Sequence, residues 1–167
     1  MICDAARALP ILRDGGGPVA RRGGRLISRA TFLAEIEDLA ERLPDRPHTI
    51  NFCSDRYRFA VAWSAAMLRG QITLLPSSRD ATAVATLFED YPALYVLSDD
   101  GEPVDGPGLR FDYPALCSTA TGVRVPAFPA DRIAAVLFTS GSTGRPNPSP
   151  RSWGRLVSGS LAAGAAL

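Results

Sequence analysis

The sequence has few of the residues that build metal centres and disulfide frameworks. Of its 167 residues, one is histidine and three are cysteine. Cys3, Cys53 and Cys117 are odd in number, lie far apart and form no Cys-x-x-Cys pair, so they predict reduced thiols in a cytoplasmic protein. No ligand cluster accompanies His48, which argues against a zinc site. A serine hydrolase would need the same histidine as its base, yet no Gly-x-Ser-x-Gly elbow is present to hold the nucleophile.

Charge and hydropathy argue against nucleic-acid-binding, membrane-associated and secreted proteins. Lys and Arg together number 18 and Asp and Glu 17, so there is no electrostatic reason to expect nucleic acid or an acidic membrane as a partner. The one basic cluster, residues 21–25, is predicted to be a solvated loop. No apolar run is long enough to span a bilayer. Asp4 and Arg7 interrupt the apolar core that a secretion signal needs.

Hydrophobic periodicity predicts one α/β domain built from βαβ units with a largely parallel sheet. After an irregular entry over residues 1–24, short strands at 25–27, 48–53, 72–75 and 95–97 alternate with three helices. The helices are capped by Ser28, by Ser54 or Asp55, and by Asp80. The side chains expected to face the core are Phe32, Ile36, Leu39, Ala40 and Leu43, then Tyr57, Val61, Trp63, Ala66, Met67 and Leu68, then Val84, Leu87 and Phe88.

Residues 99–131 differ in composition from the segments on either side. They are rich in Asp, Gly and Pro around one short strand near residues 109–111. Two interpretations remain open, a linker between subdomains and a surface excursion inside one sheet. An apolar strand over residues 133–138 follows.

That strand ends in a loop of hydroxyls and glycines, residues 139–146. Gly141 and Gly144 allow the main chain to approach a ligand, so that several N–H groups can converge on one anion. A hydrogen bond to a charged group contributes about 1.5–3 kcal/mol, so a few such donors could hold a polyphosphate. A flexible connector is the simpler interpretation of a Ser- and Gly-rich tract. The Walker loop is excluded, because Arg145-Pro146 stand where it has Lys and a hydroxyl residue, and the spaced glycines of the dinucleotide fingerprint are missing.

Residues 138–146 resemble the signature loop of the adenylate-forming synthetases, which include acyl- and aryl-CoA synthetases and the adenylation domains of peptide synthetases. In that family a hydrophobic strand ends in Thr-Ser-Gly-Ser/Thr-Thr-Gly-x-Pro-Lys, and the loop closes over the β- and γ-phosphates of ATP. The resemblance implies that residues 1–167 are the N-terminal portion of an AMP-binding synthetase domain, with its phosphate-binding loop at 139–147. It assigns contacts with the ATP phosphates to Thr139, Ser140, Gly141, Ser142, Thr143, Gly144 and Arg145.

The resemblance implies ATP-dependent activation of a fatty or aromatic carboxylic acid as an acyl-adenylate, followed by transfer to the thiol of CoA or of an acyl carrier protein. The implied cofactors are ATP and Mg²⁺, and the protein ligand of Mg²⁺ is expected beyond this chain. Pro148 and the run Arg151-Ser152-Trp153-Gly154 resemble the AMP-ligases of aryl-polyene and xanthomonadin-type pigment pathways. No residue of this chain is assigned as catalytic or as a metal ligand.

Two features favour an alternative, a non-catalytic fragment or nucleotide-binding module that needs a separate partner chain. Asn147 stands where the family usually has Lys, so a cation near the leaving pyrophosphate is missing unless Arg145 or Arg151 replaces it. Residues 156–167 are predicted to be an apolar helix without a terminator, which indicates that the C-terminal remainder of a synthetase is absent. We therefore expect the isolated 167-residue chain to be inactive.

Overall fold

The computed structural model describes residues 7–101, 108–116, 124–139 and 147–164. Helices and strands alternate through the middle of the chain, as the periodicity predicts. In chain order the elements are β1 (Ala8–Pro10), β2 (Ala20–Arg22), β3 (Arg25–Ile27), α1 (Arg29–Arg42), β4 (His48–Asn51), α2 (Arg56–Leu68), β5 (Ile72–Leu75), α3 (Ala81–Asp90), β6 (Leu94–Ser98), β7 (Leu109–Asp112), β8 (Ala127–Pro129), β9 (Ile133–Thr139), β10 (Asn147–Ser152) and α4 (Trp153–Gly164).

The main sheet has six strands in the order β10-β9-β5-β4-β6-β7. Strand β4 pairs in parallel with β5 and β6, β5 pairs in parallel with β9, and β6 pairs in parallel with β7. Only β10 is antiparallel to its neighbour. The predicted α/β fold with a largely parallel sheet is confirmed.

Each of the first three helices begins at a side chain that accepts backbone N–H groups. Ser28 Oγ accepts from the N–H of Thr31 at 3.0 Å, and Asp80 accepts from the N–H of Ala83 at 2.8 Å. Of the two caps considered for α2, Asp55 is the one used, because its carboxylate accepts from the N–H groups of the helix's second and third residues. Such caps satisfy donors that have no partner inside the helix.

Helices cover both faces of the sheet. α1 and α2 pack on one face, where Ile36, Leu39 and Val61 meet Tyr95 and Leu97 of β6. α3 packs on the other face, where its two buried side chains meet residues of β4, β5, β6 and β9. The helix side chains that were predicted to face the core are buried except at three positions. Trp63 and Phe88 are only partly buried, and Leu68 is 39% exposed.

Leu68 is exposed because it is the last residue of α2. Its side chain borders an open groove together with Val125 and Phe128, and none of the described elements covers it there. Helical spacing predicts burial of Leu68. The prediction fails because spacing carries no information on where the neighbouring elements end.

The basic cluster over residues 21–25 is exposed, as predicted, but it forms a β-hairpin and not a loop, and the prediction of an irregular entry over residues 1–24 is wrong at β1 and β2. Gly23 and Gly24 have φ angles of 53° and 79°, which is the combination required by a two-residue hairpin turn. β2 and β3 pair on either side of this turn, and β1 pairs with β8. β3 is the strand predicted over residues 25–27, whereas β1 and β2 were not predicted, because such short strands carry little periodicity.

Strands β6, β7 and β9 all belong to the main sheet, although residues 99–131 lie between β6 and β9. The described parts of that segment therefore leave the sheet, return as β7 and leave again. This arrangement fits the surface excursion better than a linker between two sheets, while the domain boundaries themselves stay a prediction. None of the described helices combines the length and hydropathy that a bilayer span requires.

Candidate phosphate-binding site

The predicted phosphate loop follows β9, a strand held on both sides. β9 pairs in parallel with β5 and antiparallel with β10, and Ala134, Ala135, Val136 and Phe138 are buried. Thr139, its last residue, is exposed at the carboxyl end of the strand. The chain therefore reaches the loop from a fixed position, with the first predicted phosphate-binding residue facing solvent.

The two ends of the loop are held together. Asn147, the first residue of β10, is the register partner of Thr139, and Pro148 is the partner of Phe138. Paired residues of an antiparallel ladder have Cα atoms about 4.5–5.5 Å apart. Ser140, Gly141, Ser142, Thr143, Gly144 and Arg145 lie outside the described residues, so their role stays a prediction.

The loop starts at the edge of the sheet where ligand crevices form in α/β folds. The connection after β4 runs through α2 on one face, and the connection after β5 runs through α3 on the opposite face. Such a reversal opens a crevice at the carboxyl ends of the two strands. β5 lies between β4 and β9, so Thr139 is one strand away from this crevice.

Arg79 links the loops around the crevice. It lies between β5 and α3, and its Nη2 donates to the carbonyl oxygen of Phe52, after β4, at 2.6 Å. Its Nη1 donates to Asp100, after β6, at 3.0 Å, and the guanidinium lies 5.0 Å from the centre of the Phe52 ring. One side chain therefore fixes the ends of three parallel strands relative to one another.

Asp99 fixes the turn between β4 and α2. Its side chain is 2% exposed and accepts from the N–H of Ser54 at 2.7 Å, from the Ser54 hydroxyl at 3.0 Å and from the N–H of Asp55 at 3.2 Å. Burial by itself would raise the pKa of Asp99, but these hydrogen bonds and the Arg58 guanidinium lower it below its usual value. The carboxylate is therefore charged at neutral pH.

The thiol next to this turn is not a nucleophile at neutral pH. Burial, with a further contribution from the Asp99 carboxylate, raises the pKa of Cys53 to about 12. A thiol with that pKa stays protonated, so Cys53 is a core side chain. Among the described residues, no group of three or more His, Cys, Asp and Glu side chains is placed to hold a metal ion.

The geometry of β10 shows whether Arg151 could replace the lysine that the family usually has at the position of Asn147. Arg151 is the partner of Ala135, four residues along β10 from Asn147. Strands rise about 3.4 Å per residue, so the two Cα atoms lie about 14 Å apart, with Arg151 on the side away from the loop. The chain contains no lysine. Arg151 is therefore a poor replacement, and Arg145, which lies outside the described residues, stays as the other predicted candidate.

Two tryptophans anchor the strands on either side of the loop. Trp63 of α2 donates from Nε1 to the carbonyl oxygen of Ala134 in β9 at 3.0 Å. Trp153, which follows β10, donates from Nε1 to the carbonyl oxygen of Leu9 at 2.9 Å, and its ring packs edge-on against Trp63 and Phe128. The ends of β9 and β10 that lie away from the loop are therefore tied to both a helix and the β1–β8 pair.

Arg79 and Asp99 were not identified from the sequence. Their partners lie 21 to 45 residues away, so no local spacing indicates them. The only available signal was the Asp99-Asp100-Gly101 run directly after a buried strand, which was interpreted as a loop.

Comparison with known proteins finds similarity in structure alone. No protein-family model matches the chain. No curated protein matches it in sequence either. Many solved structures do match it, and those described next are adenylate-forming enzymes.

The o-succinylbenzoate CoA synthetase MenE of Bacillus subtilis, in complex with AMP, has a TM-score of 0.64 at 15% identity, over 88% of this chain and 42% of that one. A malonyl-CoA ligase with methylmalonyl-CoA and AMP bound has a TM-score of 0.65 at 21% identity, over 95% of this chain and 34% of that one. The N-terminal subdomain of NpsA from Klebsiella oxytoca has a TM-score of 0.61 at 20% identity, over 82% of this chain and 38% of that one.

The chain has the fold of the N-terminal subdomain of the adenylate-forming enzymes. It spans between about a third and two fifths of the length of these three solved chains. At such low identity the similarity establishes the fold and not the activity.

Proposed function

We propose that this chain supplies the ATP-phosphate loop of an enzyme that activates a carboxylic acid as its acyl-adenylate. The observation that carries the proposal is the position of the Ser-, Thr- and Gly-rich segment. It lies between paired residues Thr139 and Asn147, at the carboxyl edge of a doubly wound sheet with the adenylate-forming fold. A flexible connector would not need ends held together by two paired strands.

In the proposed reaction, a carboxylate oxygen of the acid attacks the α-phosphorus of ATP, and the bond from that phosphorus to the bridging oxygen of pyrophosphate breaks. A thiol sulfur then attacks the acyl carbonyl, and AMP leaves. The residues of this chain make no covalent bond. Thr139, Ser140, Ser142 and Thr143 and the backbone N–H groups at the two glycines orient the β- and γ-phosphates and stabilise the charge that develops on pyrophosphate.

The proposed substrates and partners follow the fold neighbours and the loop. The acid is fatty or aromatic, the acceptor is CoA or an acyl carrier protein, and the narrower proposal is the AMP-ligase branch of aryl-polyene-type pathways. Mg²⁺ would enter with the ATP phosphates and neutralise part of their charge. The described residues offer no carboxylate cluster for it, and we propose that its protein ligand lies outside them.

The second candidate function is a nucleotide-binding module that is inactive by itself. It is favoured by the length of the chain relative to its solved neighbours, by Asn147, and by the absence of any lysine. The family's catalytic lysine lies in a C-terminal domain, so this chain would need a separately encoded partner or a continuation to complete the reaction.

Exchange of radiolabelled pyrophosphate into ATP tests the proposal. The assay is run with the 167-residue chain alone and with the longest reading frame that contains it, across a panel of fatty and aromatic acids. We expect acid-dependent exchange from the longer protein and none from the chain alone. Absence of exchange from both, while ATP still binds, would favour the binding module.

A further inference from the structure

A cavity lies on the face of the sheet that α1 and α2 cover. It has a volume of about 300 Å³ and lies between the β2–β3 hairpin, α1 and the first turn of α2. Its walls include Leu12, Val19, Phe32 and Ala60, and Arg21 and Arg56 border it. The volume is at the lower end of the range of small-molecule sites, and an apolar cavity with a few polar groups is typical of them.

The two arginines differ from their neighbours in having no counter-ion among the described residues. Arg22, next to Arg21, pairs with Asp55 at 2.9 Å, and Arg58, two residues after Arg56, lies 3.6 Å from Asp99. Within the described part of the chain, no carboxylate or carbonyl group pairs with the guanidinium of Arg21 or Arg56. Both residues are exposed. Two unpaired cations therefore border a cavity whose walls are apolar.

We infer that this cavity binds a small organic monocarboxylate, with its hydrocarbon part against the apolar walls and its carboxylate between Arg21 and Arg56. A guanidinium presents a planar set of donors that matches a carboxylate, and burial of the hydrocarbon supplies the remaining affinity. Arg56 is also the first residue of α2, where the helix dipole favours a negative charge. Asp55, the residue before Arg56, is itself paired with Arg22 at 2.9 Å.

The cavity does not include the two described ends of the predicted phosphate loop. It lies on the α1–α2 face beside β4, and β5 stands between β4 and β9. Neither Thr139 nor Asn147 borders it. The inference therefore does not depend on the proposed function, and binding should not require ATP.

Ligand-observed NMR on the 167-residue chain tests the inference, with hexanoate and benzoate as probes and hexanol as the neutral control. We expect Arg21→Gln and Arg56→Gln each to weaken hexanoate binding about two- to fivefold, the range of an exposed ion pair, without changing hexanol binding. Arg25→Gln is the matched control, since Arg25 lies on the same hairpin, is exposed and does not border the cavity.

Ala60→Leu supplies an independent test from the apolar side. The larger side chain should fill part of the cavity and weaken hexanoate and hexanol alike, with circular dichroism used to check that the fold is retained. Three results would overturn the inference: no hexanoate binding at about 10 mM, equal weakening by Arg25→Gln, or binding that appears only when ATP is present. The last would assign the acid to the adenylation site instead.

Discussion

A single carboxylate, that of Asp99, holds the turn between β4 and α2 in the arrangement that shapes the sheet edge. It accepts two backbone N–H groups and one hydroxyl while almost entirely buried. Because hydrogen bonds lower its pKa, the stabilisation is full above the unfolded value of about 3.9 and is lost as pH falls through the folded value.

Asp99→Asn should lower the free energy of unfolding by about 1.5–3 kcal/mol at pH 7, because the new NH₂ group faces a donor and the charge is lost. Urea unfolding at pH 7 and at about pH 2.5, below the unfolded pKa, measures this, and the variant should lose less stability on acidification than the parent. Asp45→Asn is the control, because the Asp45 side chain is fully exposed at 102%. Equal effects of the two substitutions would contradict the role given to Asp99.

Within the loop, hydroxyl and glycine substitutions should have different kinetic effects. Ser142→Ala and Thr143→Ala should lower the turnover rate, about tenfold for each 1.4 kcal/mol of transition-state stabilisation lost, with little change in ATP affinity. Gly141→Val should impair both, because its side chain obstructs the approach of the backbone to the phosphates. Steady-state pyrophosphate exchange on the longest reading frame measures both constants, and parental behaviour of all three variants would identify the loop as a mere connector.

Asn147→Lys should raise turnover, since it places a cation at the stem of the loop, opposite Thr139. The matched control is Arg151→Gln, which removes a cation on the same strand about 14 Å from that position and should leave turnover unchanged. The same exchange assay applies. If Arg151→Gln abolishes activity while Asn147→Lys has no effect, Arg151 supplies the charge after all.

The sequence indicates the structural role of a single residue only where that residue acts on its neighbours along the chain. Ser28 and Asp80 were recognised because caps act within one turn of a helix. Arg79 acts on residues after two other strands, and its partners become neighbours only once the sheet has formed.

At the scale of elements, the junction between β10 and α4 depends on one glycine. A Cβ atom added to Gly154 would lie 2.9 Å from the carbonyl oxygen of Ala130, whereas one added to Gly159, five residues further along α4, would meet nothing within 4 Å. The N–H of Gly154 donates to that same oxygen at 2.8 Å. α4 therefore packs closely against the turn after β8 at its start and not in its middle.

Gly154→Ala should lower the free energy of unfolding by about 1–3 kcal/mol, since the obstructing atom belongs to the backbone and cannot rotate away. Gly159→Ala in the same helix should raise it by about 0.5–1 kcal/mol, because alanine restricts the unfolded chain. Chemical denaturation of both variants measures the difference. Similar effects of the two would show that the close approach is absent.

β10 was not predicted as a strand because Pro148 and Pro150 argue against one. Proline is tolerated in an edge strand when its nitrogen faces away from the ladder, and β10 pairs only with β9. The two prolines also remove donors from the free edge, which discourages a further strand from pairing there. The helices α1 to α3 were recognisable because each combines a cap with a full apolar stripe.

For the molecule as a whole, the phosphate loop is the only nucleotide-binding segment that the sequence predicts. Tripolyphosphate should therefore raise the melting temperature of the 167-residue chain as much as ATP does at equal concentration, since both offer the same phosphates to the loop. Thermal melts with AMP as the control measure this. A clearly larger shift with ATP would mean that the chain also contacts the nucleoside.

The layered architecture followed from the alternation of strands and helices, because right-handed crossovers leave few ways to order parallel strands. The strand order itself did not follow. β9 joins β5 across the sheet although residues 76–132 separate them, and nothing in the sequence of either strand specifies that partner. Buried strands with similar apolar side chains differ in the shape of the surfaces that pack on them, which emerges only in the assembled fold.

The packing of Trp63 against Trp153, with ring centroids 5.8 Å apart, also determines which part of this protein its tryptophan fluorescence reports on. These are its only two tryptophans, so the indole emission of the entire chain originates at one spot, at the end of the β9–β10 hairpin opposite Thr139 and Asn147. A shift in that emission on adding a polyphosphate would report movement transmitted from the loop through the length of these two strands, without any label attached to it.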